Sequence, residues 1–217
     1  MVNVPSGTIE NRYPTLCPVS WWLGAARLSP DAGRLYLSRT EPSFTGYRIQ
    51  CFDLETDHEL WRTDLQADDA LGALAVSPDG RVLASASGYR DLSIRIWDAS
   101  TGRFLRQLDG HNARICALQF SEDGRQLVSA SGDQTLRVWD KEVWTENRVL
   151  HGHNSPVYAL AASQSGGLLA STAMNGGLML WNTEQKNSGN AYIQLLKGTG
   201  NDRFVPLDQS RLLMLPQ

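Results

Sequence analysis

A tryptophan followed by an acidic or amide residue closes a strand-like run three times in this 217-residue chain, at Trp97-Asp98, Trp139-Asp140 and Trp181-Asn182. Successive tryptophans stand 42 residues apart, and a weaker copy, Phe52-Asp53, precedes the first by 45. A period of about 40–45 residues is what four short antiparallel strands and their turns consume. The spacing therefore predicts an all-β chain of repeated four-stranded units.

Residues 110 to 140 form the clearest copy, GHNARICALQFSEDGRQLVSASGDQTLRVWD. Ile115, Ala117 and Gln119 alternate with Cys116, Leu118 and Phe120, a period of two that marks a strand and places Cys116 among buried apolar neighbours as an inert thiol. Glu122-Asp123-Gly124 is a hairpin turn whose glycine supplies a positive φ. Leu127 to Ser131 is the second strand, Gly132-Asp133-Gln134 the next turn, and Leu136 to Trp139 the third strand. A fourth, outer strand is expected around Asn147 to Leu150, before the pattern restarts at Gly152-His153. Trp61 and Trp144 are expected on outer strands.

A Gly-His near the start of the unit and a Trp-Asp closing its third strand resemble the WD-repeat β-propeller family. The His111-to-His153 step equals the tryptophan step. The resemblance covers about residues 20–198 and implies four blades, at about 20–65, 66–108, 109–150 and 151–198. Residues 1–19 would then hold a strand of a closing blade, around 8–16, and 199–217 a partial further blade. The resemblance also implies a side-chain network in each blade, carried here by His111, Ser129 or Ser131, Asp133 and Trp139. A neutral imidazole can donate to Asp133 and accept from a hydroxyl, while a buried indole N–H needs an acceptor. The other blades depart from this set. The second keeps Asp91 and Trp97 but has Ala67 in place of the histidine and Tyr89-Arg90 inserted before the aspartate. The fourth keeps His153 and Trp181 but has Asn175 in place of the aspartate. The first has Val19 at the histidine position and an expanded turn over residues 41–46. These three blades are expected to rely more on apolar packing and to be less stable.

Family members close rings of six to eight blades, so four leave the ring open. An incomplete ring finished by a second chain or a second copy, a five-blade ring closed across the termini, and an open arc are the alternatives. The open arc is disfavoured because end blades would expose faces that are normally buried.

Composition narrows the function classes. Net charge is −3 and the pI about 5.8, which gives no electrostatic reason to expect nucleic acid or an anionic membrane as partner. No apolar run reaches the roughly 18 residues that span a bilayer. The start, MVNVPSGTIENRYP, does not have the form of a secretory signal. Cys17, Cys51 and Cys116 stand singly, which suits reduced thiols and a cytoplasmic location. His111, Ser131 and Asp133 contain the groups of a hydrolytic triad, but the blade network accounts for them, so neither catalysis nor a cofactor or metal is expected. The family's entry loops and second turns gather on one face around the channel, which here would receive Trp22, Tyr89, Arg90, Arg114 and Tyr158. Trp, Tyr and Arg dominate interface hot spots. The expected function is a non-catalytic protein–protein interaction scaffold. The alternative is a sensory or regulatory propeller that binds a small ligand and controls an attached effector.

Overall fold

The computed structural model describes residues 22–40, 46–66, 71–87, 90–163, 167–182, 192–197, 203–208 and 211–215. The strand expected over 8–16, the position of Ala67 and that of Tyr89 lie outside them. Among the described residues there is no helix, and so none long and apolar enough to cross a membrane.

Four antiparallel sheets of four strands follow one another along the chain. Blade 1 comprises β1 (Trp22–Leu28), β2 (Arg34–Thr40), β3 (Gly46–Asp53) and β4 (His58–Gln66). Blade 2 comprises β5 (Leu71–Val76), β6 (Val82–Ser87), β7 (Ile94–Asp98) and β8 (Phe104–Leu108). Blade 3 comprises β9 (Ile115–Phe120), β10 (Gln126–Ser131), β11 (Leu136–Asp140) and β12 (Glu146–Leu150). Blade 4 comprises β13 (Val157–Ala162), β14 (Leu168–Ala173), β15 (Gly177–Asn182) and β16 (Tyr192–Lys197). A further hairpin joins β17 (Arg203–Asp208) to β18 (Arg211–Leu215). This is the architecture of β-propeller blades.

The register repeats with the sequence. Leu83, Leu127 and Leu169 on the second strands lie opposite Trp97, Trp139 and Trp181 on the third, and Leu35 lies opposite Phe52. Short polar motifs build the turns. In the first hairpin of blades 1, 2 and 3 a serine hydroxyl (Ser29, Ser77, Ser121) accepts the N–H of the residue five further on, at 2.9–3.0 Å. At the same end of the blade, where the third strand finishes, the carboxylate after the aromatic residue caps the next turn. Asp98 accepts the N–H groups of Ser100 and Thr101, and Asp140 those of Glu142 and Val143. The acidic residue of the Trp-Asp pair is thus a turn cap.

Each blade also carries two bulges at equivalent places. Gly24, Gly72, Cys116 and Tyr158 are the unpaired residues of the four inner strands. Leu60, Leu105, Asn147 and Ile193 are those of the outer strands, across from the aromatic-acidic pair. A bulge puts two residues against one and resets the alternation. That corrects the expectation for Cys116, which is half-buried at the bulge while Ile115 beside it is buried. Trp61 lies on an outer strand as expected. Trp144 instead sits in the turn ahead of β12 with φ 56°, packed against the core between blades 2 and 3. Asp57 and Gly102 take the same left-handed conformation at the equivalent places in blades 1 and 2. Gly102 is required there for a second reason: a Cβ would lie 2.5 Å from the Trp61 ring.

The apolar core lies between blades rather than within them. One cluster joins Tyr36, Ile49 and Cys51 of blade 1 to Leu74, Leu83 and Trp97 of blade 2. A second joins Ile94 and Ile96 of blade 2 to Leu118, Leu127 and Trp139 of blade 3. A third joins Val128 and Val138 of blade 3 to Leu169 and Trp181 of blade 4. Each Trp-bearing face therefore packs on the preceding blade, and each interface removes two sheet faces from water together.

Polar staples cross the same interfaces. The Tyr36 hydroxyl and the Trp61 indole N–H both donate to the Ala99 carbonyl at 3.2 Å. Lys141 of blade 3 reaches the Asp79 carboxylate of blade 2 at 2.7 Å. Burial acts to raise the Asp79 carboxyl, but bonds from Lys141, Ser77 and the Arg81 N–H outweigh it and hold it at about 2. A depressed carboxyl stabilises the fold above its unfolded value of 3.8, and that stabilisation disappears as pH falls toward 2. Lys141→Met is expected to cost no more than about 1 kcal/mol, since Asp79 remains partly solvated. It should also flatten the acid limb of a stability–pH profile between pH 4 and 2, measured by urea unfolding.

Candidate functional site

The network is complete in blade 3. His111 lies in the loop before β9, and its Nδ1–H donates to Asp133 Oδ2 at 2.7 Å. With Nδ1 carrying the proton, Nε2 accepts the Ser129 hydroxyl at 2.7 Å. The Trp139 indole N–H donates to the same hydroxyl oxygen at 2.9 Å. Asp133 further accepts the N–H groups of Asn112 and Thr135 and the Thr135 hydroxyl. Burial pushes the Asp133 carboxyl up, but these bonds, His111 foremost, bring it well below the ordinary carboxylate range. Ser131, the other candidate, donates instead to the Ala113 carbonyl at 2.9 Å and accepts the Asp133 N–H. The Asp133–His111–Ser129 order is that of a hydrolytic triad, but Ser129 is fully buried and its oxygen accepts the Trp139 indole N–H, so the set joins the strands of the blade.

Blades 2 and 4 reuse the serine and the indole. Trp97 donates to Ser85 Oγ at 2.9 Å, and Trp181 to Ser171 Oγ at 2.7 Å. In blade 2 the carboxylate of Asp91 turns to Ser93 and to Arg95, and Arg95 also reaches the Tyr47 hydroxyl of blade 1. An arginine from the following strand thus takes the role of a cationic neighbour where sequence reasoning grouped Asp91 with a histidine-type network. In blade 4, His153 Nε2 pairs with Ser171 Oγ at 2.7 Å. Asn175, placed by sequence in the same network, uses its amide elsewhere. It donates to Asn154 Oδ1 at 2.7 Å and accepts the Gly177 N–H at 3.1 Å. In blade 1, Leu37 stands opposite Gln50, two residues along β2 from Leu35, and packs with Phe52.

Above this layer the loops before the inner strands meet the turns between second and third strands. Gly132 N–H donates to the Arg114 carbonyl at 2.8 Å, and Met174 N–H to that of Pro156 at 2.9 Å. Arg114 is exposed and lays its guanidinium over the bulge of blade 2, 3.6 Å from where a Gly72 side chain would begin. Tyr158, at the bulge of blade 4, is 50% exposed, and Met174 in the adjoining turn is 72% exposed. Arg90 is exposed as well. Trp22 opens β1, with its side chain outside the described set, as is all of Tyr89.

Comparison with known proteins supplies the deciding observation: the family model "WD domain, G-beta repeat" matches residues 62–98, 102–140 and 144–182, just over half of the chain. The chain belongs to the WD-repeat family. Each matched stretch begins near the outer strand of one blade and ends with the third strand of the next, so the WD repeat as a sequence unit is offset from the blade by one strand. Among relatives, "Nuclear distribution protein PAC1" of Arthroderma benhamiae is 49% identical over 65 residues, 30% of this chain and 14% of that protein. "Guanine nucleotide-binding protein subunit beta" of Schizosaccharomyces pombe is 27% identical over 85 residues, 39% of this chain and 27% of the relative. "U3 small nucleolar RNA-associated protein 21" of Saccharomyces cerevisiae is 58% identical over 45 residues, 21% and 5% respectively. The matches thus span well under a third of these relatives' lengths. WD-repeat proteins act in general as protein-interaction scaffolds and are generally non-catalytic.

Met174 escaped the sequence reading because a lone methionine in a turn of blade 4 carries no period. The signal was available in the alignment of turns, where Met174 takes the place of Gly132, 42 residues earlier.

Proposed function

We propose that this chain is a non-catalytic scaffold that engages a partner protein through the loop face, with Arg90, Arg114, Tyr158 and Met174 as contact residues. Trp22 and Tyr89 belong to the same proposed face by their place in the repeat. The observation that carries this reading is the pairing of an exposed tyrosine and an exposed methionine at the top of blade 4. Both are large: Tyr158 stands at the bulge of β13, and Met174 lies in a turn tied by its N–H to the Pro156 carbonyl. On a pre-ordered backbone, binding costs only side-chain freedom, and large side chains offset that by the area they bury, which is how a scaffold gains affinity. The varied names of the relatives support a shared platform rather than a shared partner.

The test is partner capture by proximity labelling in cells, comparing the wild-type chain with an Arg114→Ala, Tyr158→Ala, Met174→Ala triple variant. The expected result is loss of the captured proteins by at least tenfold with an unchanged unfolding midpoint. Retention of the same proteins by a folded triple variant overturns the assignment of this face.

A further inference from the structure

We propose that blade 4 is the acid-responsive element of this protein, because His153 faces an amide where its counterpart His111 faces a carboxylate, so that protonation of His153 loosens β13 and β14 from blade 3.

The two blades offer an internal comparison. Both histidines are buried and both bond a serine that also receives the tryptophan N–H. The His111 ring faces the Asp133 carboxylate, with Nδ1 2.7 Å from Oδ2. At His153 the neighbour in that place is Asn175. The Asn175 carbonyl oxygen and His153 Nδ1 lie 3.1 and 3.9 Å from the point where a Gly177 side chain would begin. The amide is neutral, and its oxygen already accepts the Gly177 N–H. A buried charge without a partner is costly, and the group sheds the proton or the structure opens to hydrate it.

Among the described residues no carboxylate pairs with His153. In its own blade His153 bonds Ser171, lies beside Gly177 together with Asn175, and has the Trp181 ring centroid 6.0 Å away. Blade 3 presents Val128, Ala130, Leu136, Val138 and Leu150 to the shared interface. Asp133, in the neighbouring turn, is engaged by His111, Asn112 and Thr135. His151, two residues back in the same loop, is exposed. Burial lowers the His153 imidazole from its ordinary 6.5, with no charged group offsetting it. The sign follows: a depressed histidine stabilises the fold above pH 6.5, and that stabilisation is lost as pH falls through its folded value. Tyr158 and Met174 sit on the same blade, so the loosening acts on the loop face without depending on what binds there.

The experiment is hydrogen exchange by mass spectrometry on the full chain at pH 7.5, 6.5 and 5.5, with labelling times scaled for the intrinsic rate. Protection over residues 157–173 is expected to fall by up to about tenfold per pH unit below 6.5, while residues 115–131 change far less. Asn175→Asp should remove the difference between the two blades. His153→Gln, which keeps an amide to bond Ser171 but cannot titrate, should make blade 4 insensitive to pH over this range. Parallel changes in the two wild-type blades overturn the proposal. So does an acid loss in blade 4 that persists in His153→Gln.

Discussion

Replacing Trp139 with alanine is expected to cost about 3–5 kcal/mol, the largest effect of any single substitution considered for this chain. The ring is buried to within 2% and forms part of the cluster that joins blades 2 and 3. Its loss opens a cavity lined by both blades, so the damage falls on the interface that holds the array together rather than on one sheet. Trp139→Phe separates the two roles of the side chain. It keeps most of the apolar contact and removes only the N–H that donates to Ser129, so a cost of roughly 1–2 kcal/mol is expected. Urea unfolding followed by circular dichroism measures both. Equal costs for the two variants would mean that the hydrogen bond, and not ring burial, dominates at this position.

Ser129→Ala is the second large effect, expected at roughly 2–4 kcal/mol although the change removes a single oxygen. That oxygen serves two buried groups, accepting the Trp139 N–H and donating to His111 Nε2. Both are orphaned at once in a site with no access to water, and the cost of an unmet buried donor exceeds the net worth of the bond it had made. Ser131→Ala, two residues along the same strand, removes bonds to the Ala113 carbonyl and from the Asp133 N–H, both at the margin of a turn. Its cost should be about half as large or less. The same unfolding measurement on the two variants ranks them, and a larger loss at Ser131 would show that the turn, not the network, is the critical element.

The pair also shows where reading the sequence stops. Ser129 and Ser131 are two apart on one strand, so they project to the same face and both are buried. Alternation assigns the face, but only the height at which the His111 loop crosses the strand selects between them. Asp91 and Asn175 make the same point from the other side. Both stand six residues before their tryptophan, as Asp133 does, yet Asp91 is claimed by Arg95 from the next strand and Asn175 by Asn154. A carboxylate goes to the cation that can reach it, and an amide, lacking charge, is satisfied by the nearest dipole. Cys116 was read as buried because period two was carried through an unseen bulge, and Trp144 as a strand residue because a left-handed tryptophan is rare.

The sequence by itself determined the blade. The 42-residue period counts out four strands, alternation places their buried faces, and Gly, Asp and Ser mark the turns between them, because strand length, burial and turn conformation are local demands written in local residues. Only the tertiary structure decided which hydroxyl joins the network, where the bulges fall, and that Met174 stands exposed in the turn beside Tyr158. Those outcomes depend on contacts with neighbouring blades some forty residues away, where packing and the pairing of buried polar groups choose among arrangements that the strand pattern alone leaves equivalent.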